Sequence, residues 1–205
     1  MKSIFIFVLV SFMFVNAYSQ KLTARELVGL KGNVNSVVTE LTIVKMDNEK
    51  FEMARVTESE DFYTKTGNMR NNPKKPASDY KIKFVFDRKG KITEEKKFDL
   101  KGFQFFKTVF KYNAKGQISE QIYYAGRNIS AYNYLTYDSE GNLTELKFVP
   151  TEFNMIHDTV VQHYTDYQFD ALGNWIQRTL TSTSLLGEKV SESQTIYYRK
   201  IEYYK

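Results

Sequence analysis

One short phrase recurs four times in this chain of 205 residues: an aromatic, Asp or Asn, two free positions, Gly, a polar residue and an apolar one. The copies are Phe86-Asp87-Arg88-Lys89-Gly90-Lys91-Ile92, Tyr112-Asn113-Ala114-Lys115-Gly116-Gln117-Ile118, Tyr137-Asp138-Ser139-Glu140-Gly141-Asn142-Leu143 and Phe169-Asp170-Ala171-Leu172-Gly173-Asn174-Trp175. Internal repetition outranks other local signals, because each copy must build the same unit. Asp or Asn opens a type I turn, its side chain capping backbone N–H groups further on. The following Gly accepts φ > 0 without a Cβ penalty. Together they predict a hairpin with a type I turn and a G1 bulge. That geometry sets the aromatic opposite the apolar residue: Phe86–Ile92, Tyr112–Ile118, Tyr137–Leu143 and Phe169–Trp175.

Period-2 alternation agrees. Phe84, Phe110, Leu135 and Tyr167 stand two before the aromatics, with Val85, Lys111, Thr136 and Gln168 between. Thr93, Ser119 and Thr144 fall on the opposite face of the partner strands, and Ile176 breaks the rule. Half-buried strands have this pattern. Weaker turns lie between the strong ones, at Asp99 to Phe103, Gly126-Arg127 and Gly187-Glu188. The expected fold is all-β, an antiparallel meander of repeated β-hairpins forming a strongly curved sheet or partial barrel. Its apolar face needs cover from the N-terminal strands, from the sheet's own curl, or from a partner.

Before the repeats, Thr23-Ala24-Arg25-Glu26 has the spacing of a capping box on one helical turn. Residues 34–46 and 51–57 read as strands joined at Asp47-Asn48-Glu49. Residues 58–79, with Gly67, Pro73 and Pro76, read as the least ordered stretch, its second half a long loop.

The phrase resembles the YD repeat of RHS-type proteins, whose core reads Tyr-Asp-x-x-Gly-Arg-Leu; Tyr137 to Leu143 is the nearest copy. The resemblance spans residues 80–178 and departs from the family in putting Lys, Gln or Asn after Gly, with copies 26, 25 and 32 residues apart. Such proteins build shells around a toxin from many repeats; four copies are too few for a shell. The stretch Gly29-Leu30-Lys31-Gly32-Asn33-Val34-Asn35-Ser36-Val37 looks like the opening of small secreted repeat proteins of Bacteroidetes. That likeness implies an envelope location and brings no catalytic residues with it.

The N-terminus has the plan of a secretory signal. Lys2 precedes a 12-residue apolar run, residues 4–15, and Ala17-Tyr18-Ser19 is a small-x-small cleavage site. Residues 1–19 are expected to leave and residues 20–205 to form one β-repeat domain, secreted or periplasmic, with no membrane span after cleavage. Zero cysteines exclude disulfides, thiolate metal sites and cysteine nucleophiles.

Charge is uneven. Residues 70–101 hold 11 basic side chains against five acidic ones, enough to attract anions. Lys74, Lys75, Lys96 and Lys97 are the candidate contacts, with Tyr123 and Tyr134 as candidate stacking platforms. Glu94, Glu120 and Glu145, four after each Gly, form either a carboxylate row or a salt-bridged ladder. His157, Asp158, His163 and Asp166 lack metal-ligand spacing, and no nucleophile elbow or phosphate loop occurs. These features lead to a non-enzymatic binding module without cofactor. Its expected partner is an envelope polysaccharide or envelope protein rather than nucleic acid. The alternative is a scaffold docking another protein through its sheet face or edge.

Overall fold

The computed structural model describes residues 23–46, 49–50, 52–70, 80–151, 159–186 and 189–205. Its strands are β1 (Val34–Met46), β2 (Glu49–Lys50), β3 (Val56–Tyr63), β4 (Met69–Arg70), β5 (Tyr80–Phe86), β6 (Ile92–Asp99), β7 (Gln104–Tyr112), β8 (Ile118–Ala125), β9 (Asn128–Tyr137), β10 (Leu143–Pro150), β11 (Val160–Phe169), β12 (Trp175–Leu186) and β13 (Lys189–Tyr203). All join one antiparallel sheet. From β5 to β13 it is a plain meander, and β1 then pairs with β13, β3 with β1, and β4 with β3. The sheet is curved and does not close, leaving β5 and β4 at its two ends.

All four predicted registers are present: Phe86↔Ile92, Tyr112↔Ile118, Tyr137↔Leu143 and Phe169↔Trp175. The glycines stand at φ of 79°, 84°, 95° and 76°. Asp87, Asn113, Asp138 and Asp170 each accept, at Oδ1, the N–H of the residue after Gly, at 2.8–3.0 Å. One residue past the apolar position a bulge follows, and the hydroxyl there has a use. Thr93, Ser119 and Thr144 donate to the carbonyls of Val85, Lys111 and Thr136 at 3.3, 3.5 and 3.2 Å. Asp99 to Phe103 makes the same turn on the opposite end of the sheet, with Gly102 at φ 88°.

Because a meander alternates its ends, the four strong turns share one rim, and tyrosines link them. Tyr112 Oη donates to the Ile92 carbonyl at 2.7 Å, and Tyr137 Oη to that of Ile118 at 2.9 Å. The fourth aromatic, Phe169, has no hydroxyl; Tyr167, two residues earlier, donates to the Leu143 carbonyl at 2.7 Å. Each rung thus ties a hairpin to the one before. Burial pushes these phenols up, that of Tyr137 to about 12. We expect Tyr137→Phe to cost about 1 kcal/mol in denaturant unfolding, the net worth of one such bond. An unchanged midpoint would remove the rung from the account.

The N-terminal segment extends the rim. Thr23 caps the single turn α1 (Ala24–Leu27) in the expected capping box. Buried Asn174 accepts Lys31 N–H at 2.6 Å and donates to the Lys31 carbonyl and Tyr203 Oη at 3.0 and 2.8 Å. Beside it Leu30, Val34, Val37 and Tyr63 form a small core against Ile201 and Tyr203.

One expectation is corrected, and one of the three open covers for the apolar face drops out. The long strand that pairs along β1 is β3, Val56–Tyr63, so the expected strand of residues 51–57 is displaced towards the C-terminus and the front of the stretch expected to be least ordered is a strand. The residues 71–79 of the expected loop lie outside the described residues. The N-terminal strands lengthen the sheet rather than folding over it.

Cross-strand partners share a face, which sorts the side chains. The inner face carries Phe110, Thr108, Ala131, Asn133, Tyr164, Leu180, Thr195 and Val37, all buried. The outer face carries ion pairs at mid-strand, Lys111–Glu120 at 3.0 Å and Lys200–Glu40 at 2.8 Å, and His163 lies 3.7 Å from Glu145. A lipid-facing β-surface needs an apolar band there, so this face meets water. No helix among the described residues is long and apolar enough to cross a membrane.

Candidate functional site

Three residues past the apolar position, the bulge turns the chain so that the next side chain faces inward again. That position reads Glu95, Gln121, Leu146 and Arg178 in the four copies. The last puts a guanidinium on the inner face, across from Tyr197 of β13. Arg199, two residues on from Tyr197, is inward as well. Both cations meet one indole: Arg199 Cζ lies 3.6 Å and Arg178 Cζ 4.2 Å from the Trp175 ring centre. Arg178 also lies 4.3 Å over Tyr164 and 5.7 Å from the Tyr197 ring.

This cluster is electrostatically unsettled. Burial, and next the neighbouring Arg178, pull the Arg199 guanidinium down to about 10; Tyr63 and Asp61 oppose the fall. Burial pushes the Tyr197 phenol to about 12, and the Glu58 carboxylate adds to the rise. Glu58 on β3 also raises the Tyr164 phenol of β11, after burial, the larger cause. Those strands are four spacings apart along the sheet, about 19 Å were it flat; the curl brings them within reach. Arg178 Nε and Arg199 Nε are buried and make no hydrogen bond, as are Arg25 Nε and Nη1. Buried donors are normally satisfied, so open ones mark strain or a place for something else. A carboxylate or phosphate is the natural acceptor for guanidinium N–H groups.

A second polar station sits on the inner face of β6 to β9. Tyr123 Oη donates to Gln121 Oε1 at 2.6 Å, and Asn133 Nδ2 donates to both groups, at 2.8 and 3.1 Å. Asn133 Oδ1 is buried and open. Lys97 lies 3.5 Å from Glu95, between the rings of Tyr80 and Phe106 at 5.6 and 5.5 Å.

The candidate contacts read from sequence therefore divide. Lys97 and Tyr123 are inner-face neighbours, bridged by Phe106, whose ring is 6.0 Å from that of Tyr123. Lys96 is on the outer face, paired with Glu94 at 2.6 Å. Tyr134 is also outside, 44 % exposed and stacked on Tyr132 at 6.2 Å. Lys74 and Lys75 lie outside the described residues, as do His157 and Asp158. On the outer face Glu94 and Glu120 each hold a lysine and Glu145 lies 3.7 Å from His163, the ladder rather than the carboxylate row of the two expectations. No group of metal-ligating side chains occurs among the described residues. The Arg178–Trp175–Arg199 cluster escaped the sequence reading. Its one signal was an arginine at the inward position of the last repeat.

No family model matches the chain, and no curated protein matches it. Among solved structures, a porin-like protein from Bacteroides uniformis is similar at 9 % identity and a TM-score of 0.44, over 82 % of this chain and 96 % of that one. So distant a likeness says nothing of what this chain binds.

Proposed function

We propose that the chain is a non-catalytic secreted or periplasmic binding module for an anionic cell-envelope glycan, taken on the inner face of the sheet. The YD-like hairpins supply the scaffold, and their inward positions supply the contacts. One observation carries the reading: two half-buried arginines share one indole, each with its Nε–H left without a partner. The ring contacts hold both guanidiniums in place before any ligand arrives, which lowers the ordering cost of binding. An acidic sugar gives what the site lacks, an anion for the guanidinium edges still open to solvent and apolar ring faces for the tyrosines. The station at Lys97, Tyr123 and Asn133 offers further hydrogen bonds to a longer chain.

The test is titration of residues 20–205 with neutral and acidic envelope polysaccharides at low and high salt. Binding to acidic polymers is expected, weakened by salt. Arg178→Gln is expected to weaken it at least tenfold, and Lys96→Gln, on the outer face, to leave it unchanged. Silence across the panel would sink the glycan reading and turn the search to envelope proteins.

A further inference from the structure

The end of the sheet away from the four strong turns exposes apolar side chains. At the β6–β7 turn Leu100 is 66 % and Phe103 67 % exposed. The turn is well made: Asp99 N–H donates to the Phe103 carbonyl at 3.0 Å, and Asp99 Oδ1 accepts Phe103 N–H at 2.8 Å. A defined tip therefore presents two large apolar groups to water. Phe105 and Tyr80 extend it, both 40 % exposed, in edge-to-face contact at 6.4 Å. The neighbouring β8–β9 turn is fastened alongside, Gly126 N–H donating to the Phe105 carbonyl at 3.0 Å, which brings exposed Arg127 to the same end. Exposed Lys101 is in the tip itself, and exposed Lys81 stands on the edge strand across from Phe98. Among the described residues of the tip the acid is Asp99, whose Oδ1 is engaged in the turn.

We infer that this tip docks the protein on the surface of an anionic lipid bilayer, Leu100 and Phe103 entering the headgroup region while Lys81, Lys101 and Arg127 meet lipid phosphates. Charge complementarity selects the occupant. Apolar groups ringed by cations match a surface that is anionic outside and apolar just beneath. Aromatic side chains favour that boundary, and long basic side chains reach back to the headgroups. The contact is peripheral, since the charged outer face excludes deeper burial. It leaves the inner face open, so it is independent of the glycan reading.

Vesicle co-sedimentation tests it, with phosphatidylcholine alone and with phosphatidylcholine mixed with phosphatidylglycerol. The chain is expected to sediment with the mixed vesicles and little with the neutral ones. The double variant Leu100→Ser, Phe103→Ser is expected to bind at least tenfold more weakly, and Lys101→Gln or Arg127→Gln about fivefold each. All four positions are exposed, so melting and polysaccharide titration should match the parent. Absence of sedimentation with mixed vesicles, or sedimentation unaltered by the double variant, would overturn the inference. So would a concentration-dependent dimer in ultracentrifugation that the double variant abolishes, since the tip would then belong to a second copy.

Discussion

Arg199→Met is expected to melt higher than the parent protein and to lose acidic polysaccharide binding. Arg199 is largely enclosed beside Arg178, and its guanidinium is held at about 10, well below its ordinary value. A base whose folded value lies below its unfolded one is charged at a cost. That cost is fully present below pH 10 and is relieved only as pH rises above 10. The depression corresponds to about 3 kcal/mol at neutral pH. Against it stands the lost contact with Trp175, worth about 1–2 kcal/mol when desolvated. Methionine fills similar volume without charge, and apolar replacement of buried ions is often stabilising. The net gain is about 1–2 kcal/mol, or roughly 2–8 °C for a domain of this size. Thermal melting and polysaccharide titration on one sample decide it. A lower melting temperature would make Arg199 a structural cation held by Trp175. Higher melting with intact binding would move the ligand away from the pair.

The largest loss of stability is expected from Asn174→Ala. Asn174 is 2 % exposed and holds three partners: Lys31 N–H, the Lys31 carbonyl and Tyr203 Oη. Alanine leaves a donor and an acceptor of the Lys31 peptide facing a void. Three part-buried hydrogen bonds are lost, each worth about 0.5–1.5 kcal/mol net, so about 3 kcal/mol in all. Melting should fall by roughly 6–12 °C. The effect should concentrate at the junction of the last hairpin with the N-terminal segment, where Leu30 and Val34 pack. Amide exchange reads this directly: protection should drop in β1 and the end of β13 while β6 to β9 keep theirs. Uniform loss across the sheet would contradict a local clamp.

The turns and registers were legible because their causes lie within seven residues. Asp or Asn, Gly and the bulge fix a hairpin by local geometry alone, and the aromatic–apolar pairs follow. Strand β3 was not legible. Its run Glu58-Ser59-Glu60-Asp61 looks like loop composition, yet it pairs along β1 because Phe62 and buried Tyr63 anchor its end and Glu58 answers Tyr197 from across the curl. The place of β1 depended on β13, more than 150 residues away. The arginine pair was hidden for another reason. Simple alternation from Trp175 sends Arg178 to the outside, and only the bulge at Ile176 returns it inward. Lys96 and Lys97, neighbours in sequence, were read as one patch; strand geometry puts them on opposite faces.

The tyrosine rungs have a consequence for how such a chain grows. Each hydroxyl consults only the hairpin before it: Tyr112 reads Ile92, Tyr137 reads Ile118, Tyr167 reads Leu143. None of these bonds counts hairpins. Duplicating one two-strand unit of about 25 residues would present a new carbonyl where the old one stood, and the next phenol would find it. Removing one would let the following tyrosine drop onto the vacated place. Gene duplication can therefore lengthen or shorten this sheet in whole steps, without redesign of any remaining joint. The terminal clamp at Asn174 and Lys31 marks where that arithmetic stops.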